Sequence, residues 1–479
     1  MGLLEILISG PPASTGYARA DSFTRTYAQS TLCTPSRASF LTGRYCAAHN
    51  VYRNGAERFP GDEILVTRLL ADAGYDCALI RKLHISSSEH GEARADDGYR
   101  VVHWSNLPYP GEAADNLNEY LAWLQDEKGV DPDDVLPRYD MWDRGHSHAG
   151  QGDFIRPGPD EDLRQTKWAN EMALRFVEQS RDGFWLLSIN PYDPHLAYLP
   201  PRAYLDAYDP AEMPPPLFRP HDLERQPRFH GLRAQNVFAR DPLDLRRPEE
   251  RDPAAGVGAS FNARLIKCGY YAMIEMIDRH LGELLDALKA PGELDNTLVV
   301  FQSDHGEFLG DHGLVFKGAR FFDGAVRVPL VVSWPGRIAG GRTPDMLAEL
   351  IDVAPTLLET AGVEVPYVMQ GRSLWPALDG AEANGGKSMV VSEFYDSCNF
   401  SEGGNDPTQA VMSFDGRYKM VTYRNHDLRE LYDLENDPGE FDDLWDDTGS
   451  RYLKLQVMSL HVDAIMGAIS SGPRRSTRY

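Results

Sequence analysis

The residues of this chain with chemistry to offer sit at the ends of apolar stretches. Cys33 opens the run Cys33-Thr34-Pro35-Ser36-Arg37-Ala38-Ser39-Phe40-Leu41-Thr42-Gly43-Arg44. There a potential nucleophile meets a small-residue helix start, and Arg37 is a fixed cation nearby. Ser303-Asp304-His305-Gly306-Glu307 ends a strand-like stretch, so a carboxylate and an imidazole can turn toward one ion. Calcium prefers oxygen ligands, whereas imidazole suits manganese or zinc at least as well. Lys82 and His84 follow the apolar residues 75–80, and Lys-x-His spacing puts both side chains on one face of an extended segment. His195 follows residues 184–190 in a proline-bounded loop, where imidazole suits general acid work near pH 7. Lys317, in Gly313-Leu314-Val315-Phe316-Lys317-Gly318, carries a mobile point charge. His146 and His148, flanking Ser147 in a polar loop, are a weaker substrate-side feature. Taken singly, each has an ordinary explanation: a buried cysteine, a helix cap, a basic strand end, a loop histidine, a solvated lysine.

The elements that must position them alternate. Residues 62–73 read as a helix ending at Gly74, with a buried strand at 75–80. A second helix and strand follow at 166–179 and 184–190, and a third pair at 268–288 and 297–303. This order predicts an α/β fold with ligand groups at strand carboxyl ends. Residues 200–260, rich in Pro, Arg and Asp, predict a long surface excursion or lid. After about 380 the pattern turns to short antiparallel strands at 388–394, 410–414, 418–423 and 430–434, with a last helix at 452–466.

The chain has 479 residues, room for a large domain and a smaller one. A net charge of −24 argues against nucleic acid and anionic membrane surfaces as partners. It also means that an enzyme for anionic esters must concentrate its cations locally. No apolar run reaches membrane-spanning length, and five cysteines without paired spacing predict a reducing, cytoplasmic setting, unless a longer product carries a signal peptide.

The run from Cys33 to Arg44 resembles the signature of the sulfatase family, in which this cysteine is oxidised after translation to formylglycine. The resemblance extends from about residue 22 to about 466. It takes in Ile351-Asp352-Val353-Ala354-Pro355-Thr356, Gly371-Arg372-Ser373-Leu374 and Glu430-Leu431-Tyr432-Asp433-Leu434. It implies an alkaline-phosphatase-like sandwich: a large central mixed sheet flanked by helices in a catalytic domain over 1–380, and a small antiparallel-sheet subdomain over 381–479.

It also implies a chemistry. A hydrated aldehyde is a geminal diol; one hydroxyl can attack sulfur, and the other can then expel the sulfate as the aldehyde reforms. Pro35 and Arg37 would be read by a formylglycine-generating enzyme, and Arg37 would hydrogen-bond the diol. Lys82 and Lys317 would hold sulfate, His84 would be the base that collapses the adduct, and His195 would protonate the leaving alcohol. Asp304, His305 and residue 33 would bind a divalent metal, calcium ahead of manganese or zinc. The implied activity is hydrolysis of a small sulfate monoester. The alternatives are a phosphonate monoester or phosphodiester hydrolase, or a catalytically impaired homologue that binds sulfated ligands.

Three positions depart from the family pattern. Arg81 stands where a glycine precedes the lysine, and Ala197 stands for the second proline after His195. The third departure is larger. The family's opening strand ends in an Asp-Asp pair that binds metal, whereas residues 3–9 run into Gly10-Pro11-Pro12 and the next acid is Asp21. The expectation is that the pair belongs further upstream, on a truncated or divergent N-terminus, or that Glu5 or Asp21 substitutes for it.

Overall fold

Side chains that alternate along each apolar strand decide the architecture, because a strand buried on both faces must feed two cores. In the computed structural model Leu298 and Val300 enter one core with Leu79, Leu186 and Leu330. Their neighbours Val299 and Phe301 enter another with Ile80, Leu187, Ile189 and Val331. The structure describes residues 2–8, 20–88, 91–92, 96–111, 114–137, 155, 157–179, 181, 183–229, 232, 238–246, 260–381, 386–395, 408–470 and 472.

The strands are β1 (Gly2–Ile8), β2 (Asp21–Tyr27), β3 (Asp76–Ile80), β4 (Val101–His103), β5 (Trp185–Ile189), β6 (Phe238–Ala239), β7 (Thr297–Ser303), β8 (Leu314–Val315), β9 (Arg327–Ser333) and β10 (Ala348–Glu349). β11 (Val390–Phe394), β12 (Ala410–Phe414), β13 (Tyr418–Tyr423) and β14 (Leu428–Asp433) complete the set. Eight form one sheet in the order β10-β2-β9-β7-β1-β5-β3-β4. Of these only β9 runs against its neighbours β2 and β7, so the carboxyl ends of β7, β1, β5 and β3 open on one edge. The helices Cys33–Thr42, Val66–Asp72 and Val353–Ala361 cover one face, and Gln165–Val177 and Ala263–Lys289 cover the other. This is the mixed, helix-flanked sheet expected from the sequence. β11 to β14 form a separate antiparallel meander, against which the Arg451–Ala468 helix packs. No described helix is long and apolar enough to cross a membrane.

The sheet shows where the opening strand lies. β1 already fills the slot between β5 and β7, with Ile8 level with Ser303, the residue before Asp304. Level with the strand end that leads into Asp304, Ile8 itself offers no carboxylate. Asp21 is no substitute either: it is fully buried at the start of β2 and bound by the Arg342 guanidinium, 2.5 Å away. Glu5 pairs with Ser188 and Val300 in mid-strand, three residues short of the strand end.

Residues 200–260 also differ from the aperiodic excursion expected. Proline starts a short helix at Pro220–Arg225, and β6 pairs with β8. Arg225 ties this stretch to the C-terminal sheet by bonds to Tyr432 and Asp443.

β11 carries Glu393, which accepts bonds from the Tyr395 hydroxyl and the Ala47 amide. Burial pushes its carboxyl up to about 7. The unfolded chain ionises this group freely, so its contribution to stability is present at low pH and lost as pH rises from about 4.5 to about 7. The full span is worth about 3 kcal/mol. Glu393→Gln should therefore lose less Tm than the parent between pH 5 and pH 8, a comparison thermal unfolding can make directly.

Candidate active site

Four loops at the carboxyl edge of the sheet meet at one sulfur. Cys33 is the first residue of its helix and is 5% exposed. His305 Nε2 lies 3.1 Å from its Sγ, and Lys317 Nζ lies 3.2 Å from the same atom. His84 and His195 also lie close enough to the sulfur to interact with it electrostatically. The loop before Cys33 is tied to the Lys317 loop by Thr31 Oγ1, which donates to Gly318 O at 2.7 Å.

His305 is oriented by its neighbours. Its Nδ1 donates to Gly306 O at 2.8 Å, which leaves Nε2 to accept from Lys317 Nζ at 2.9 Å. Gly306 is required by close approach, since a Cβ there would lie 2.0 Å from Gly324 O. Asp304 is held by the Ser36 hydroxyl on its carbonyl and by Arg37 Nη1, 3.5 Å from Oδ2. Its Oδ1 is buried and makes no hydrogen bond. Asp304, His305 and Cys33 offer donor atoms within 4.8 Å of one another. Arg37 also donates from Nε to Leu83 O and from Nη2 to Lys82 O, joining the cysteine helix to the segment after β3.

Lys82 and His84 reach the site by a route different from the one expected. The backbone after β3 is not extended: Arg81 has φ 80° and His84 φ 61°, both left-handed. Glycine adopts that conformation without penalty, which is why Arg81 is an unusual occupant. Its guanidinium is held by Gln165 Oε1 at 3.1 Å, Asn190 O at 3.4 Å and Asn106 O at 2.6 Å, and lies over the Tyr192 ring. Those bonds offset a strain of about 1 kcal/mol. Lys82 Nζ then donates to Asn106 Oδ1 at 2.5 Å. Asn106 thus positions both cations, and sequence reading missed it. Its signal was a polar Ser105-Asn106 pair just after β4, a strand of only three residues.

His195 sits between cis peptides at Asp193–Pro194 and Leu196–Ala197. Its Nδ1 donates to Leu196 O at 2.8 Å, and Asp193 is anchored by Arg164 and Thr166. Cys46, Cys77 and Cys268 are buried away from this cluster, and His146 and His148 lie outside the described residues.

The electrostatics are those of an anion site. Burial would raise the Cys33 thiol, but Lys317, His305 and His195 outweigh it and hold the thiol well below its ordinary value. Burial, and then Lys82, bring His84 down to about 3. Burial and then Lys317 also lower His195. An anion between them would raise both imidazoles, so binding itself prepares them to carry protons.

A family model described as Sulfatase matches residues 17–363, and one described as N-sulphoglucosamine sulphohydrolase, C-terminal, matches residues 310–463. The chain belongs to the sulfatase family. It is 30% identical over 439 residues to a choline-sulfatase of Rhizobium meliloti (strain 1021), covering 89% of this chain and 75% of that one. It is 29% identical over 474 residues to the multifunctional alkaline phosphatase superfamily protein PehA of Trinickia caryophylli, covering 93% and 87%. The crystal structure of a phosphonate monoester hydrolase of Agrobacterium radiobacter superposes with a TM-score of 0.77 at 23% identity, covering 98% of this chain and 96% of that one. That likeness is one of fold, and the fold is alkaline-phosphatase-like. As a member of the sulfatase family the chain is a hydrolase.

Proposed function

We propose that this sulfatase-family hydrolase cleaves small sulfate monoesters with a formylglycine made from Cys33. The observation that carries the reading is the convergence of His84, His195, His305 and Lys317 on the Cys33 sulfur. Residues 1–380 would form the catalytic unit and 381–479 the subdomain. Once hydrated, a formylglycine supplies two hydroxyls on one carbon, one to attack and one to expel the sulfate. Around it Arg37 orients residue 33, and Lys317 and Lys82 meet the oxygens of the bound sulfuryl group. His195 Nε2 faces the leaving alcohol with a proton that the bound anion helps it hold, and His84 is placed to take a proton from residue 33.

A divalent metal, calcium ahead of manganese or zinc, fits this site in part. The unbonded Asp304 Oδ1, His305 Nε2 and residue 33 are its donors, and bound there it would acidify an oxygen on residue 33. A single carboxylate, with the Lys317 ammonium beside it, makes the hold a weak one.

When produced with a formylglycine-generating enzyme, the Cys33 peptide should be lighter by about 18 Da, sulfur being exchanged for oxygen with loss of two hydrogens. Mass spectrometry reads this directly, and unmodified Cys33 from such a host would remove the proposed nucleophile. Parallel assays with an aryl sulfate and a phosphonate monoester then test the substrate class. Turnover of the sulfate in preference is expected. Preference for the phosphonate would move the chain to phosphonate monoester hydrolysis, and silence on both would leave a ligand-binding homologue.

A further inference from the structure

The Arg451–Ala468 helix is apolar on two opposite faces. One is accounted for: Val457, His461 and Ala468 are buried, and His461 bonds Ser413 Oγ at 2.7 Å and Thr422 Oγ1 at 3.0 Å, fastening the helix to β12 and β13. The outward face has no such partner among the described residues. Tyr452, Leu455, Val462, Met466 and Ile469 stand there between 45% and 84% exposed. With Ser459 they recur at alternating steps of three and four residues, a spacing that keeps one stripe turned toward a second helix.

We infer that this stripe is a self-association surface on which the same helix of a second copy packs antiparallel about a two-fold axis. Two features select that occupant. The stripe is self-complementary under a two-fold near residues 459–462. Leu455 then lies opposite Met466 of the second copy and Tyr452 beside its Ile469, while the small Ser459 meets Val462 where the helices come closest. Charge is the second feature. The chain carries 72 acidic against 48 basic residues, yet Asp463 is the only acid between 451 and 470, opposed by Arg451 and Lys454. This helix is thus a place where two strongly anionic copies can approach with little repulsion.

The area is adequate but not large. Large apolar side chains of this kind present on the order of 100 Å² each, so five of them from each copy bury roughly 1,000 Å² in all, near the lower bound for a specific interface. A reversible dimer with a micromolar dissociation constant is expected.

Sedimentation velocity and light scattering on the full chain, from about 0.5 to 50 µM, bracket that range. The parent should pass from monomer to dimer. Leu455→Glu with Met466→Glu should weaken association by about 100-fold or more, with Tm and hydrolysis held as controls because both side chains point away from core and site. A second measurement reports the register: in a Cys398→Ser background, Ser459→Cys should cross-link through a short bismaleimide, whereas Lys454→Cys, off the stripe, should not. A monomer at every concentration, a dimer indifferent to the double substitution, or cross-linking equal at both positions would each overturn the inference.

Discussion

Lys317→Ala should lower turnover of a sulfate ester by about 10²–10³ while leaving the fold intact. On the proposed mechanism the ammonium is one of two lysine nitrogens that meet the anion, and it is buried and bonded to Cys33 Sγ and His305 Nε2. Lys82→Ala should show a loss of similar size, since Asn106 holds that nitrogen in place. Cys33, Glu307 and Asp304 hold the Lys317 ammonium above its ordinary value, so Lys317→Ala leaves them without that counter-charge and should lower Tm without unfolding the protein. Steady-state kinetics with a circular dichroism melt separates the two effects. Parental kcat/KM in either variant would take that lysine out of the reaction.

Ser9→Asp with Gly10→Asp should raise calcium affinity on the order of 100-fold and increase turnover with it. These positions follow in sequence on Ile8, whose partner Ser303 leads into Asp304. At present Asp304 and Glu307 are the acids that face Lys317, and the cations around Cys33 outnumber them. Titration calorimetry on parent and variant measures the affinity without reference to activity. Tight calcium binding by the unaltered chain would mean that ligands other than Asp304, His305 and residue 33 complete the site.

Much of this framework was legible in the residues themselves. β7, β12 and β13 fall where the runs of Val, Leu, Phe, Tyr and Met place them, and the helix start at Cys33 follows from its small-residue run. Elements whose identity depends on distant partners were not legible. β2 reads Asp21-Ser22-Phe23-Thr24-Arg25-Thr26-Tyr27, a polar string that is a strand because β9 and β10 flank it. Asp21 resembled a spare ligand, and only its ion pair with Arg342, 321 residues later, shows how it is used. The left-handed turn at Arg81 was hidden for a related reason: the bonds that make it tolerable come from Gln165, Asn190 and Asn106, on three other segments.

The burial of Cys33 sets a deadline. At 5% exposure, under His195, His305 and Lys317, it is out of reach of any modifying enzyme once the sheet has closed. The last of those residues emerges 284 positions after the cysteine. At about 5–20 residues per second, synthesis leaves roughly 15–60 s in which residue 33 is made and its cover is not. If residue 33 is converted as proposed, the yield of modified protein is a contest between folding and oxidation. Slower translation after residue 33, or a delay in pairing β7 with β1, should enrich the converted form without any change at the cysteine itself.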